Sequence, residues 1–275
     1  MVDLRIFSYL PNPRIWKATI AARLNGVELE IVGDRPPALA DWLWDPEPRL
    51  LPEAERTNDS PYARQARKGF GKTLYKTEAF LDRVPFGTVP CAFSPDGAIG
   101  IFESNSILRA VARLGEAACP LYGRTAYETS RIDSFLDVTL SMAKDSQTYL
   151  LALNNGKITA GLHSQMAASF DDYQVGLEQT LKSGRPFLAT DELTIADICF
   201  AAEICQLSRE RGNIVKLREL GLEPVINAAA RAAYPLSFAH FDKLRVHEAF
   251  APDIQPFMDR LDERYPLNEK EGVVG

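Results

Sequence analysis

Residues 88–107, T-V-P-C-A-F-S-P-D-G-A-I-G-I-F-E-S-N-S-I, decide how the first part of the chain folds. Two short apolar runs, at 89–93 and 98–102, flank the turn sequence S-P-D-G, which is typical of a tight hairpin. Apolar residues at helical spacing follow directly after E-S-N-S. The stretch therefore predicts an antiparallel hairpin that leads straight into a helix.

Two places in this stretch are candidates for contact with a ligand. Pro90 has no N–H to give to a sheet, so it predicts either a sheet edge or a cis bend that faces a ligand. The predicted helix begins near Glu103 and Ser104, and its unpaired N–H groups and positive dipole end favour a carboxylate. We expect a carboxylate site there; the alternative is an ordinary capped helix after a hairpin.

The residues before the hairpin supply the rest of a small mixed sheet. Strands are predicted at 4–9 and 27–32, and the helix between them ends at Asn25-Gly26. A strand–helix–strand unit of this length implies a right-handed parallel crossover. Together with the later hairpin and helix, the order is βαβ followed by ββα.

This order, with V-P before the hairpin and E-S at the helix start, resembles the glutathione-binding domain of glutathione S-transferases. The resemblance implies an α/β thioredoxin-like N-terminal domain at 1–115 and an all-α C-terminal domain at 124–266, with glutathione as the cofactor. In that family, the residue before the cis-proline pairs with the cysteinyl unit of glutathione, and the Glu-Ser pair holds the γ-glutamyl end. The resemblance therefore implies these glutathione-binding residues: Val89, Pro90, Glu103 and Ser104.

The loop after the first strand is where the family places the group that activates the glutathione sulfur. Asn12-Pro13 stands where relatives have Ser-Pro or Cys-Pro. An asparagine amide can donate a hydrogen bond to a thiolate but cannot attack a substrate. We predict Asn12, Ser8 and Arg14 as the catalytic residues, with Arg14 adding positive charge near the sulfur. The alternative for Asn12 is a plain helix cap between two prolines.

The segment between the second strand and the V-P strand, at about 34–84, is a long insertion relative to the family pattern. Its aromatic residues argue against disorder, and it carries a basic run in an acidic chain. We expect either a lid over the substrate or a surface subdomain or dimer contact. The aromatic residues are Trp42, Trp44, Tyr62, Phe70 and Tyr75, and the basic run is Arg64, Arg67, Lys68, Lys72 and Lys76.

From about residue 125 the pattern is helical, and L-T-I-A-D-I near residue 195 resembles a structural element of the transferase C-terminal domain. Thr194 and Asp197 read as a capping box before an apolar helix. The family places its hydrophobic substrate against the long helices of this domain. Trp42, Trp44 and Tyr149 are the predicted substrate-binding residues.

One branch of the superfamily is similar in more detail. The string P-N-P-R-I-W-K-A-T-I-A-A resembles the transferase-like domain of the elongation factor 1B gamma subunit. In that subunit the domain is regarded as an assembly module. A non-catalytic assembly role is therefore one alternative to an enzyme, and a glutathione-binding carrier of apolar ligands is another.

Composition and charge exclude several other classes of protein. The net charge of −6 argues against a nucleic-acid-binding surface. No apolar run approaches the roughly 20 residues that span a bilayer, so we expect no membrane partner and a cytoplasmic protein. The four cysteines and three histidines have no metal-ligand spacing, so no metal is expected.

The sequence thus predicts a glutathione-dependent transferase that acts on a hydrophobic, aromatic electrophile by thiolate attack. Cleavage of an aryl ether, as in beta-etherases, is one specific form of this reaction. By analogy with the family we expect a dimer, and the residues leave open whether its two chains are identical.

Overall fold

The computed structural model describes residues 2–66, 73–115 and 120–266. The chain divides into two compact units, Met1–Cys119 and Pro120–Gly275. Four residues of the insertion that the sequence analysis singled out lie outside the described residues: Arg67, Lys68, Phe70 and Lys72.

The first unit combines helices with strands. Its elements in chain order are β1 (Leu4–Tyr9), α1 (Pro13–Asn25), β2 (Leu29–Asp34), β3 (Trp42–Trp44), β4 (Arg49–Leu50), β5 (Ala63–Gln65), β6 (Thr73–Lys76), α2 (Glu78–Arg83), β7 (Cys91–Phe93), β8 (Gly100–Phe102) and α3 (Ser104–Leu114). Short 3-10 helices at Ala38–Asp41 and Glu53–Glu55 lie within the insertion.

One sheet of this unit has the strand order β2-β1-β7-β8. Strands β1 and β2 are parallel, whereas β7 is antiparallel to both β1 and β8. The predicted βαβ and ββα units and the hairpin turn are confirmed, and Gly97 of the turn has the positive φ of +68° that glycine tolerates. Pro90 precedes an interior strand, so the edge interpretation is wrong, and the predicted cis bend is present at Val89–Pro90.

The insertion forms a second sheet, with the strand order β4-β3-β6-β5. Trp44 of β3 and Leu74 of β6 pack in the same buried cluster as Phe7 of β1 and Phe93 of β7. The ring of Trp44 lies edge-on to Phe7, with a centroid distance of 5.4 Å. Burial of such aromatic surface is a large favourable term in folding. The insertion is therefore an integral part of the core of the first unit.

All regular secondary structure among the described residues of the second unit is helical. Its helices are α4 (Ala126–Asn154), α5 (Ala160–Leu181), α6 (Ile195–Ser208), α7 (Ile214–Glu219), α8 (Ala228–Ala233), α9 (Pro235–Arg245) and α10 (Ala251–Arg264), with a 3-10 turn at Arg209–Asn213. The predicted capping box is confirmed, because Thr194 and Asp197 exchange side-chain and backbone hydrogen bonds at the start of α6. An α/β unit followed by an all-helical unit is the fold class that the sequence predicts.

Candidate functional site

Three segments of the first unit meet at one end of the β2-β1-β7-β8 sheet. Cys91 is paired with Phe7 on one side and with Phe102 on the other. Because these pairings are antiparallel, the residues just before Cys91 lie beside those that follow Phe7 and Phe102. The loop after β1, the Val89–Pro90 bend and the start of α3 therefore lie together at one end of the sheet.

The loop after β1 is closed on itself by its own polar groups. Asn12 caps α1, with its Oδ1 accepting the Arg14 N–H at 3.0 Å. Its Nδ2 donates to Ser8 Oγ at 3.1 Å, and Ser8 Oγ donates to the Tyr9 carbonyl at 3.0 Å. Asn12 is 1% exposed and Ser8 is 0% exposed. The capping interpretation of Asn12 is confirmed, and both polar side chains are sealed from solvent.

Arg14 is the one of the three predicted catalytic residues that is not sealed. It stands in the first turn of α1 and is half-buried, whereas Asn12 and Ser8 are buried. A guanidinium at a helix N-terminus adds a full positive charge to the partial positive charge of the helix dipole. This end of α1 can therefore stabilise an anion.

The start of α3 has a different construction from the start of α1. Glu103 is the N-cap residue, is exposed, and makes no side-chain capping bond to the described residues. Its backbone has φ +69° and ψ 127°, a conformation that a residue with a Cβ adopts only at a cost. Its carbonyl accepts the N–H groups of Ser106 and Ile107, each at 3.0 Å. Ser104, next in the chain, is half-buried.

Lys17 lies next to the candidate site and was not predicted from the sequence as a binding residue. It lies on α1, is 1% exposed, and reaches across to the first turn of α3. Its Nζ is 2.7 Å from Asn105 Oδ1 and 3.3 Å from Ser104 Oγ. The signal that pointed to it is periodicity, because Lys17 shares the buried face of α1 with Pro13 four residues before and Ala21 four residues after.

The two predicted substrate tryptophans have different environments. Trp44 is 1% exposed, and its Nε1 donates to the Leu39 carbonyl at 3.0 Å, so it is a core residue and offers no surface to a substrate. Trp42 is half-buried, and its ring centroid lies 6.0 Å from that of Phe7. Its indole N–H has no acceptor among the described residues. Of these two residues, only Trp42 remains a candidate for substrate contact.

The insertion is tied directly to the segment that carries the cis-proline. Lys76 at the end of β6 donates from Nζ to the Gly87 carbonyl at 2.7 Å, and its Nζ lies 4.6 Å from the centroid of Trp44. Gly87 has φ +60° and stands two residues before Val89. Lys76 thus connects the second sheet to the loop that leads into the Val89–Pro90 bend.

Tyr149, the third predicted substrate residue, is a core residue of the second unit. It is 1% exposed, and its hydroxyl donates to Glu210 at 2.8 Å. Burial raises the pKa of the Glu210 carboxyl to about 7, against the lowering effect of hydrogen bonds from the N–H groups of Ile226 and Val225 and from Tyr149. The substrate prediction for Tyr149 is replaced by a structural role in this buried network.

Cysteine and metal chemistry find no support in the described residues. Cys91 follows the cis-proline but is buried, and this burial raises the pKa of its thiol, which keeps it in the unreactive protonated form. No cluster of His, Cys, Asp and Glu side chains in residues 2–66, 73–115 and 120–266 has a geometry that could hold a metal ion. In the same residues, no helix combines the length and apolarity that a membrane crossing requires.

Sequence comparisons find similarity to glutathione S-transferase-like proteins. No protein-family model matches it. It is 27% identical over 199 residues to a glutathione S-transferase-like protein of Aspergillus aculeatus, a match that covers 71% of this chain and 77% of the relative. It is also 31% identical over 133 residues to elongation factor 1-gamma of Trypanosoma cruzi, which covers 48% of this chain and 31% of that protein.

Structural comparisons give the same fold along nearly the whole chain. A glutathione S-transferase of Drosophila melanogaster superposes with a TM-score of 0.61 at 18% identity, covering 98% of this chain and 100% of that one. A glutathione S-transferase of Methylobacterium radiotolerans, solved in complex with glutathione sulfonate, gives a TM-score of 0.59 at 16% identity and covers 98% of this chain and 99% of its own. The chain is thus similar in sequence to glutathione S-transferase-like proteins and has the fold of glutathione S-transferases.

Proposed function

We propose that the protein is a glutathione-dependent transferase. The observation that carries this proposal is that three segments meet at one end of the sheet: the loop after β1, the cis Val89–Pro90 bend, and the start of α3. A helix start with an open first turn favours a carboxylate, and a backbone bend beside it offers N–H and C=O groups to an extended peptide. A tripeptide thiol with an anionic end fits this combination.

The roles of the binding residues follow from this placement. Glu103 and Ser104 hold the γ-glutamyl end, with the Glu103 carboxylate facing its amino group and the Ser104 hydroxyl facing its carboxylate. Val89 pairs through its backbone with the cysteinyl unit, and Pro90 fixes the bend. Because Val89 lies beside the loop after β1, this orientation directs the sulfur toward Arg14 and the start of α1.

Activation of the thiol is assigned to Arg14 and the N-terminus of α1. A nearby cation and a helix dipole both favour the thiolate over the thiol, and the thiolate is the nucleophile. Asn12 and Ser8 contribute by holding the loop, since their polar groups are bonded to each other and to the backbone. Glutathione is the co-substrate that supplies the sulfur.

The second substrate is proposed to be a hydrophobic, aromatic electrophile. Trp42 is half-buried and packs against the same cluster as Val89, so it offers an aromatic surface close to the proposed cysteinyl position. In the etherase form of the reaction, the thiolate attacks the carbon of an aryl ether. A C–S bond forms, the C–O bond breaks, and the phenolate leaves with the electron pair and takes a proton from water.

Titration and turnover measurements test this proposal. We expect glutathione to bind in calorimetric titration, and a panel of aryl halides and aryl ethers to give glutathione conjugates or released phenol. Arg14→Ala should lower turnover about tenfold or more and shift the pH–rate profile to higher pH, because the thiolate forms less readily. Arg23→Ala, in the last turn of the same helix, is the matched control and should leave turnover unchanged.

Two other outcomes have distinct signatures. Elongation factor 1-gamma is among the relatives, so a non-catalytic assembly module remains the competing proposal, and absence of glutathione binding would support it. Binding without turnover on any electrophile would instead indicate a carrier of apolar ligands. A dimer in the cytoplasm, of identical or different chains, is our proposal for the assembly and location.

A further inference from the structure

The buried ammonium group of Lys17 lies directly beneath the first turn of α3. Lys17 is one of the largest fully buried side chains of the protein. Burying a lysine is unfavourable because its ammonium group loses hydration, so hydrogen bonds to that group are needed to offset the loss. Those hydrogen bonds are made to Asn105 Oδ1 at 2.7 Å and Ser104 Oγ at 3.3 Å.

The contact with Lys17 sets the direction of the Ser104 hydroxyl. An ammonium group has donors only, so Ser104 Oγ is the acceptor in this bond. The single hydroxyl hydrogen of Ser104 must then point to another acceptor. Because Ser104 is half-buried while Lys17 is buried, the hydrogen is directed toward the more open side of the helix start.

The same contact adds charge where the helix already favours an anion. The first turn of α3 carries the positive end of the helix dipole, and the N-cap Glu103 makes no side-chain capping bond there among the described residues. A carboxylate that accepts a hydrogen bond from Ser104 would lie close to Lys17 Nζ, because Lys17 bonds to the same hydroxyl oxygen. Since the ammonium is shielded from solvent, its attraction for that carboxylate is screened less than that of a surface lysine.

We infer that Lys17 is a positioning residue for the α-carboxylate of the γ-glutamyl unit: it orients the Ser104 hydroxyl as a donor and supplies the buried positive charge of that subsite. This inference rests on the proposed glutathione-dependent function. It assigns to Lys17 a role through Ser104 and Asn105, with no direct contact to the reacting sulfur.

The test compares two thiols that differ only in the group that Lys17 is proposed to recognise. Glutathione carries the α-carboxylate, whereas 4-aminobutyryl-Cys-Gly lacks it and keeps the amino group and the thiol. For Lys17→Met we expect the Kd for glutathione to rise about 10- to 100-fold, with the Kd for the analogue changed less than about threefold. Lys17→Arg keeps the charge and the donors and should restore much of the preference for glutathione.

A second variant keeps the test decisive if Lys17→Met folds poorly. Lys17→Gln retains a donor for Asn105 without the positive charge, and it should also lose the preference for glutathione over the analogue. Lys216→Met is the control, since Lys216 lies in the second unit and bonds to Leu153 and Asn213. For the Lys17 variants the change is expected in the KM for glutathione, whereas Lys216→Met should keep both KM and kcat within about threefold of wild type.

The possible failures are distinguishable. If wild type binds glutathione and the folded Lys17 variants keep the wild-type ratio of the two dissociation constants, the role of Lys17 is wrong and the proposed function stands. If wild type binds neither thiol, the proposed function is wrong, and the inference falls with it.

Discussion

The helices α1 and α3 begin at the same end of one small sheet, yet their first turns are built in opposite ways. At α1, Asn12 caps the helix and bonds to Ser8, and both side chains are buried. At α3, the N-cap residue Glu103 is exposed, has a positive φ, and gives no side-chain cap among the described residues. One helix start is satisfied by the protein itself, and the other is left open.

The difference shows which polar residues are expected to stabilise the fold and which are expected to bind a ligand. A polar group that is buried and already bonded stabilises the fold, and its loss is expected to cost stability. A polar group held in a strained and open arrangement is expected to cost binding when it is lost. The buried Glu210 network of the second unit belongs to the first class, because its carboxylate accepts from Tyr149 and two backbone N–H groups.

The largest expected effect is the pH dependence that Glu210 gives to stability. Burial raises its pKa from 4.5 to about 7 in the folded protein, so between these values the folded chain keeps a proton that the unfolded chain has released. The contribution of Glu210 to the free energy of unfolding is therefore greatest below about pH 4.5, decreases as the pH rises to about 7, and is constant above that. The total change is up to about 3 kcal/mol.

Urea unfolding of wild type and Glu210→Gln across pH 4 to 8 measures this contribution as the difference between the two curves. Glu219→Gln changes an exposed carboxyl nearby in the chain and should follow wild type. Parallel curves for wild type and Glu210→Gln would contradict the raised pKa.

The next effect is the stability lost when the α1 cap is removed. Asn12→Ala deletes the cap and leaves the buried Ser8 hydroxyl without its donor, so we expect a loss of about 2 kcal/mol in the free energy of unfolding. Asn12→Ser keeps a capping oxygen and should recover part of this loss. Glutathione affinity should stay within about threefold in both variants; a larger loss of affinity at unchanged stability would make the α1 start an open site as well.

At α3 the effect is expected in binding. Ser104→Ala should weaken glutathione binding about tenfold, or about 1.4 kcal/mol, and should lower the free energy of unfolding by about 1 kcal/mol, because Lys17 Nζ loses one of its acceptors. Ser106→Ala, two residues further along the same helix, is the matched control. An unchanged Kd for Ser104→Ala in calorimetric titration would remove Ser104 from the site.

The smallest expected effect distinguishes the backbone strain at Glu103 from the proposed contact of its carboxylate with glutathione. Glycine adopts a φ of +69° without a Cβ clash, so Glu103→Gly should stabilise the fold by about 0.5 kcal/mol after its greater freedom in the unfolded chain is counted. Glu103→Ala keeps the Cβ and should not gain this stability. Both variants should weaken glutathione binding, since both lose the carboxylate; a Glu103→Gly variant that is less stable than Glu103→Ala by about 1 kcal/mol, the cost of the greater freedom of glycine alone, would show that the backbone at Glu103 carries no strain.

Local sequence signals predicted much of the first sheet. The S-P-D-G turn, the glycine that ends α1 and the cap at Asn12 each depend on backbone hydrogen bonds within a few residues, and all are present. The capping box at Thr194 and Asp197 was predicted for the same reason. These features are readable because the residues that form them are neighbours in the chain.

The sequence did not predict the long-range contacts. The sequence did not reveal whether Trp44 or Trp42 is the buried one, because both stand on one short strand and the choice depends on how the second sheet packs on the first. The helical pattern predicts Tyr149 as a substrate residue, but its hydroxyl bonds to Glu210, which lies 61 positions away in the chain. Such pairings are set by packing, which no local pattern encodes.

By itself, the sequence determined the βαβ and ββα order of the first sheet, a sheet edge or cis bend at Pro90, and the acid and hydroxyl that begin α3. Only the tertiary structure decided that Lys17 lies beneath that helix start, 87 residues from Ser104, and that Asn12 is sealed while Glu103 is open. The physical reason is that caps and turns are satisfied by neighbours in the chain, whereas desolvation and charge proximity depend on which distant surfaces pack together.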